Sequence, residues 1–303
     1  QQAQLLINAS LEAYNAFDKN QPSVFQADKV TAPKGFEPVD HWTGVDTGLA
    51  KKRSLEIYGV VFRSGDAPYT YIFAFRGTAS PLDILDDLGA THKAFKPYDD
   101  EATVPHPVKV EAGFFDIYYK RHEKTPSMQH QVFALLDRYQ QSDKPIGRLL
   151  ITGHSLGASL ATLFTLDVAL SRPDLNAVCY NYASPRTGNA HFVQFYEEQP
   201  AQLNPTTKTV RIQNLYDKVP CVPPENLGYS HTSKAFLVAF YKDSFKGQDG
   251  IIDCHSSLNY NAAINCAAEG SNGQCLNDKL FVPGNNYNII SKTPDPKKVC
   301  QIF

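Results

Sequence analysis

The sequence predicts an α/β fold, with a central, mixed but mostly parallel sheet covered by helices on both faces. Three observations carry this. Short apolar runs rich in β-branched and aromatic residues alternate with longer stretches of helical periodicity. The first two such runs are separated by Ser64-Gly65-Asp66-Ala67-Pro68, a breaker that suggests a hairpin. The chain has 303 residues, 42% hydrophobic and 20% charged, enough for a sizeable core.

The elements follow in order. Leu5, Leu6, Ala9, Ala13, Ala16 and Phe17 give Gln4–Phe17 a helical pattern. Ser54–Arg63 and Tyr69–Arg76 are the two runs of the hairpin. Helices are expected near Ala112–His122 and over Thr125–Gln140, where Thr125-Pro126 reads as N-cap and first-turn proline. Arg148–Thr152 is a strand, Ser155–Leu170 an Ala- and Leu-rich helix, Ala177–Ala183 a strand, Gly188–Glu198 a helix and Thr207–Gln213 a strand. The tail from Gly270 is rich in Gly, Asn and Pro and is expected to be mostly loop. No repeat or linker interrupts the chain, so residues 1–303 are read as one domain, with an irregular Cys-containing tail over about 268–303.

Composition removes several functions. A net charge of −2 gives no electrostatic case for nucleic acid or an anionic membrane. No apolar run approaches the roughly 18 residues of a membrane span. Gln1–Ser10 lacks the basic stretch and apolar block of a secretory leader, as either a mature N-terminus or a cytosolic protein would. Of the six cysteines, four (Cys254, Cys266, Cys275 and Cys300) fall in the last 50 residues. No pair has C-x-x-C spacing, so no zinc site is expected. Clustering at a loop-rich end argues for disulfides, hence an oxidising, extracellular compartment. Cys179 lies in an apolar strand-like run and reads as a buried free thiol, and Cys266 and Cys275 could close a small loop. Asn8-Ala9-Ser10 matches the glycosylation acceptor pattern.

Gly153-His154-Ser155-Leu156-Gly157 is a G-x-S-x-G pattern. A serine there sits at a sharp strand-to-helix turn that exposes its hydroxyl, and a side chain at either glycine would meet neighbouring backbone. Free N–H groups at the helix start add positive potential. The pattern follows an apolar strand and precedes a helix, which is its confirming context.

These residues resemble the nucleophile elbow of the fungal-type triacylglycerol lipases, also called class 3 lipases, which have an α/β-hydrolase fold. Four further segments match in order. Phe75-Arg76-Gly77-Thr78 is similar to the oxyanion segment, and Tyr182-Ala183-Ser184-Pro185-Arg186-Thr187-Gly188-Asn189 to the family's (F/Y)-(G/A)-S-P-R-x-G-N block. Asn214-Leu215-Tyr216-Asp217-Lys218-Val219-Pro220 resembles the acid loop. His255-Ser256-Ser257-Leu258-Asn259-Tyr260 resembles the histidine segment, in which a His is followed by a Tyr on the next helix.

A serine nucleophile needs a base, and the base a carboxylate, in the chain order Ser, acid, His. Asp217 follows the strand Thr207–Gln213, whose end would present it to the site. Of the histidines after it, His231 leads into another apolar strand, whereas His255 sits on a loop before a helix and is preferred as the base. Cys254 is placed to tether that loop through a disulfide. His154, beside the nucleophile, is read as packing or hydrogen-bonding support. The backbone N–H groups of Leu156 and, by resemblance, Thr78 form the oxyanion hole.

Ser80-Pro81-Leu82-Asp83 then reads as a helix start, and Leu82, Ile84, Leu85 and Leu88 oppose Asp83, Asp86 and Asp87. The resemblance makes this amphipathic stretch, about 79–97, a lid that opens at lipid surfaces. The only tryptophan is Trp42, so this lid lacks the one often found there. The expected activity is serine ester hydrolysis without cofactor or metal, with a lipid or other ester as partner and triacylglycerol as the leading substrate. Feruloyl esterases and phospholipases of the A1 type share the framework, and a catalytically silent binding protein is a rival of another class.

Overall fold

Both faces of the central strands are apolar, and this sets the architecture. In β3 (Thr70–Phe75), Tyr71, Phe73 and Phe75 point to one core while Ile72 and Ala74 point to the other. In β6 (Arg148–His154), Leu149 and Ile151 share the first core and Leu150 the second. Period-two alternation with apolar residues on both sides requires cover above and below. Each Leu, Ile or Phe among these contributes about 1.5–3 kcal/mol on burial. The computed structural model describes residues 1–45, 54–78, 91–203, 209–238, 240, 252–268, 274–275 and 287–288.

Among these, seven strands form the main sheet in the order β1-β2-β3-β6-β7-β9-β11. β1 (Phe36–Val45) and β2 (Leu55–Ser64) are antiparallel, as are β2 and β3, which form the expected hairpin. From β3 onward, β6, β7 (Val178–Tyr182), β9 (Val210–Asn214) and β11 (Ala235–Val238) run parallel. A second, antiparallel sheet is built from β4 (His92–Ala94), β5 (Lys109–Glu111), β8 (Gly188–Asn189) and β10 (Tyr229–Ser230). The short pair β12 (Gln274–Cys275) and β13 (Tyr287–Asn288) lies in the tail that had been expected to be mostly loop.

Helix α1 (Gln2–Asn15) covers one face with Leu6, Ile7, Ala9 and Ala13, joined by Tyr260, Ala262 and Ala263 of the helix at 257–268. The Asn8-Ala9-Ser10 acceptor pattern lies inside α1, with Ala9 and Ser10 buried. On the other face pack α2 (Ala112–Tyr119), α3 (Met128–Gln140), α4 (Leu156–Ser171) and Phe192, Phe195 and Tyr196 of α5 (Ala190–Leu203). A short helical turn at 252–255 leads into helix α6 (Ser257–Ala268).

Several boundaries differ from the sequence expectation. Helix α3 starts after Ser127, whose Oγ accepts from the His130 N–H, and Thr125 instead bridges His122. Gly188-Asn189 is strand; the Asn189 Oδ1 accepts from the N–H groups of Phe192 and Lys109, so α5 begins at Ala190, two residues later than expected. The sequence reading assigned no strand to β1 and none to the small sheet. Of the expected lid, residues 79–90, with Leu82, Ile84, Leu85 and Leu88, lie outside the described residues, and 92–94 are β4. Cys179 is a buried free thiol, as expected. Cys221 and Cys266 are disulfide-bonded.

Asp167 ties the helical layer together. Its Oδ1 accepts from the Tyr98 N–H at 2.6 Å and the Ser171 hydroxyl at 3.1 Å, and its Oδ2 from Gln129 Nε2 at 2.7 Å and the Tyr118 hydroxyl at 3.0 Å. Burial outweighs these four donors and raises its carboxyl from 3.8 to about 6. A carboxyl raised on folding holds its proton more tightly in the folded state. Its contribution is therefore full below the unfolded value and is lost as pH rises through about 6, a fall of about 3 kcal/mol. Calorimetry should accordingly find the Tm gap between the wild type and Asp167→Asn shrinking as pH rises from about 4 to 7; a constant gap would contradict this role.

Candidate active site

Strand β6 ends at His154, and the chain turns into α4 through Ser155 at φ +62° and ψ −132°. A non-glycine residue in the left-handed region costs about 1–3 kcal/mol and persists only where its surroundings hold it. Here the surroundings are backbone. A β-carbon on Gly153 would lie 2.2 Å from the Gly157 carbonyl oxygen, and one on Gly157 would lie 2.4 Å from the Phe75 carbonyl oxygen. The Ser155 N–H is bound to the Tyr182 carbonyl of β7 at 2.9 Å. Strands β3, β6 and β7 thus fix the turn, and both glycines serve close approach.

Ser155 Oγ lies 2.7 Å from His255 Nε2, and His255 Nδ1 lies 2.8 Å from Asp217 Oδ2. All three residues are 1% exposed. The structure therefore brings together the expected serine, acid and histidine, the last from the segment just before α6. His231 is elsewhere: its Nε2 contacts the Pro220 carbonyl at 2.6 Å, and burial, followed by the charges of Arg211 and Arg186, holds it well below the usual imidazole range.

The acid is set by its own strand. Asp217 follows β9 by three residues, and its N–H bonds the Asn214 carbonyl at 3.1 Å. Its Oδ1 accepts from the Val219 N–H at 3.0 Å, and its Oδ2 accepts from the Tyr260 hydroxyl at 2.8 Å as well as from His255. A buried carboxylate needs such donors to offset its lost hydration. The Tyr260 hydroxyl in turn accepts from the Asn214 N–H at 2.6 Å. Burial, then the charge of Asp217, hold its phenol well above the ordinary value, so it remains a donor.

Asn214 holds the histidine segment. Its Nδ2 donates to the carbonyls of Cys254 at 3.0 Å and Phe240 at 3.1 Å, and its Oδ1 accepts from the Phe240 N–H at 3.1 Å. The expected disulfide beside His255 does not form: Cys254 is a free, buried thiol. Hydrogen bonds from Asn214 do the tethering instead. Asn214 and Tyr260 stood inside segments the sequence singled out, but nothing in their spacing gave these roles.

Leu156 opens α4, where a first-turn N–H has no carbonyl within its own helix. Thr78 follows Gly77, where a β-carbon would lie 3.1 Å from Ser155 Cβ, so the strand β3 exit runs beside the elbow. Arg76 anchors that exit. It is 2% exposed, pairs with Glu56 at 2.6 Å, and lies 3.9 Å from the Phe17 ring centroid and 4.7 Å from that of Tyr58. Among the described residues no group of three or more His, Cys, Asp or Glu side chains is arranged to hold a metal ion.

A mostly parallel sheet flanked by helices, with a serine at the strand-to-helix turn after β6 and acid and histidine on later connections, is an α/β-hydrolase fold. Solved structures agree. Lipase II from Rhizopus niveus aligns with a TM-score of 0.56 at 20% identity, over 84% of this chain and 87% of that one. The Rhizomucor miehei lipase–propeptide complex aligns at 0.54 and 22% identity, over 77% and 67%. The chain belongs to the class 3 lipase family, whose model, Lipase (class 3), matches residues 72–227, half of its length. Among curated proteins it is 28% identical over 200 residues to phospholipase A1-IIgamma of Arabidopsis thaliana, covering 59% of this chain and 44% of that protein. It is 31% identical over 194 residues to the secreted mono- and diacylglycerol lipase MDL3 of Malassezia globosa, covering 62% and 58%. The chain thus spans less than half the length of the phospholipase it matches.

If Asn214 holds the histidine segment, Asn214→Ala leaves buried carbonyls without donors and should cost about 2–4 kcal/mol of stability in denaturant unfolding. A loss below about 0.5 kcal/mol would show that the segment is held otherwise.

Proposed function

We propose that this chain is a serine carboxyl-ester hydrolase acting on acylglycerols, with triacylglycerol as the leading substrate. The observation that carries it is the hydrogen-bonded line from Ser155 Oγ through His255 to Asp217. Ser155 Oγ bonds to the ester carbonyl carbon while its proton passes to His255 Nε2. The carbonyl oxygen takes the charge, and the N–H groups of Thr78 and Leu156 receive it. The tetrahedral intermediate collapses, the bond to the leaving alcohol breaks, and His255 returns the proton to that oxygen. Water then attacks the acyl-enzyme with His255 again as base, releasing the carboxylic acid and restoring Ser155. Asp217 keeps His255 in the tautomer and orientation that both steps need.

Phospholipase A1 activity is the second reading, supported by plant relatives of that name at 28–29% identity. The name of the Malassezia relative and the disulfide-bonded Cys221 and Cys266 favour a secreted protein. No helix among the described residues is long and apolar enough to cross a membrane. We take the chain to act as one domain, with the role of cover limited to residues 79–90, since 92–94 are strand β4 and Phe95 is buried in the core.

Ser155→Ala should lower turnover of a p-nitrophenyl ester by about 10⁴-fold or more with the fold retained. His255→Ala should lose most activity and His231→Gln should keep most of it. An inactive His231 variant beside an active His255 variant would reverse the assignment of the base. Emulsified tributyrin, triolein, phosphatidylcholine and methyl ferulate then sort the substrate class. Preferential cleavage of phosphatidylcholine would replace the acylglycerol reading with the second one.

A further inference from the structure

The residue before the nucleophile and a tyrosine from the first helix form a contact that the proposed chemistry has not used. Tyr14, near the end of α1, places its hydroxyl 3.0 Å from His154 Nδ1 and 3.5 Å from the His154 carbonyl oxygen. A β-carbon on Gly77 would lie 2.2 Å from that hydroxyl and 2.6 Å from the His154 carbonyl oxygen. The phenol tip therefore occupies the space a side chain at 77 would take, between the exit of β3 and the elbow.

His154 is 3% exposed. Its ring centroid lies 4.7 Å from that of His255 at an interplanar angle of 39°, with Tyr260 edge-on at 5.5 Å. Its Nε2 is buried with no side-chain hydrogen-bond partner among the described residues, and the backbone of His255 gives it only a weak polar contact. Among the described residues, Tyr14 is the one side chain hydrogen-bonded to this imidazole. The charged or titratable groups around the pair are Arg76 and His255, with Tyr260 and Asp217 behind the base. No carboxylate touches His154 among the described residues. Burial first, then the neighbouring His255, hold it well below the ordinary imidazole range, so the ring is neutral. In a neutral ring Nδ1 accepts from the Tyr14 hydroxyl.

We infer that Tyr14 and His154 are a positioning pair for the ester hydrolysis proposed above, an inference that rests on that reading. Tyr14 sets the ring plane of His154, and His154 in turn backs the ring of His255 that carries the proton. The same hydroxyl packs on Gly77, next to Thr78. One hydrogen bond so links the oxyanion segment, the elbow and the base. A neutral ring at this place also spares the imidazolium of His255 a second cation beside it.

A double-mutant cycle tests this. Tyr14→Phe keeps the ring and removes only the hydroxyl; His154→Leu removes the acceptor; His154→Asn restores an acceptor near Nδ1. For each variant, kcat and KM for a soluble p-nitrophenyl ester are measured per site, with sites counted by labelling with a serine-directed phosphonate, and Tm is recorded beside them. A buried hydrogen bond that orients the base should be worth about tenfold in kcat with KM unchanged. Tyr14→Phe and His154→Leu should each show this loss, the double variant no more than either, and His154→Asn a recovery of most of it. Wild-type kcat in Tyr14→Phe, losses that multiply in the double variant, or losses that vanish once counted per labelled site would overturn the inference. A wild type that neither hydrolyses ester nor takes up the phosphonate would overturn the proposed function with it; an active wild type with unaffected variants would overturn the pairing alone.

Discussion

The backbone contact between Gly157 and the end of β3 governs the rest of the site. Because α4 begins in van der Waals contact with the Phe75 and Arg76 carbonyls, the chain leaving β6 must reverse within one residue. That residue is Ser155, and its positive φ is the result. The strain is affordable because it falls at the centre of the sheet, where β3, β6 and β7 are locked by parallel register and by apolar residues on both faces. Relaxing the turn would mean separating α4 from the sheet, and with it the packing of Leu160, Leu163 and Phe164.

Around this fixed point the other groups are held by hydrogen bonds. Asp217 lies on the connection after β9, where loops carry function on a rigid scaffold, whereas His255, expected on a loop, closes a helical turn at 252–255 just before α6. What keeps these segments in place is a small buried polar network: Asn214 gripping the Cys254 carbonyl, and Tyr260 joining the Asn214 N–H to the acid. A fully satisfied network of this kind specifies one geometry. It also explains how the histidine segment stays ordered although its cysteine is unpaired. Members of the family can therefore share this chemistry while differing in the outer segments that meet the substrate.

Much of this was legible in the sequence, for identifiable reasons. The parallel strands were readable because they are buried on both faces and so give uninterrupted apolar runs; the elbow was readable because its G-x-S-x-G pattern falls between an apolar strand and a helix. β1 escaped because it mixes Glu37, Pro38, Asp40 and His41 with Trp42, is half exposed, and carries bulges that break its alternation. The small sheet escaped because strands of two or three residues have no period to detect. The start of α3 was misplaced because Thr125 and Ser127 are both suitable caps, and only tertiary packing chose the second. The triad could be ordered along the chain because its chemistry demands particular side chains. Tyr14 and Asn214 could not be found that way, since their importance lies in which distant backbone groups they meet.

The participants are also far apart along the chain. Ser155 and His255 are separated by 100 positions, and Tyr14 and His154 by 140. During synthesis the growing polypeptide thus carries its nucleophile long before the base emerges. Contacts between such distant positions form slowly, because loop closure must come before they reward it. Under the proposed mechanism, chains not yet extended past His255 expose a cell to little ester-cleaving activity, because the helical turn at 252–255 must dock before the serine has anything to take its proton.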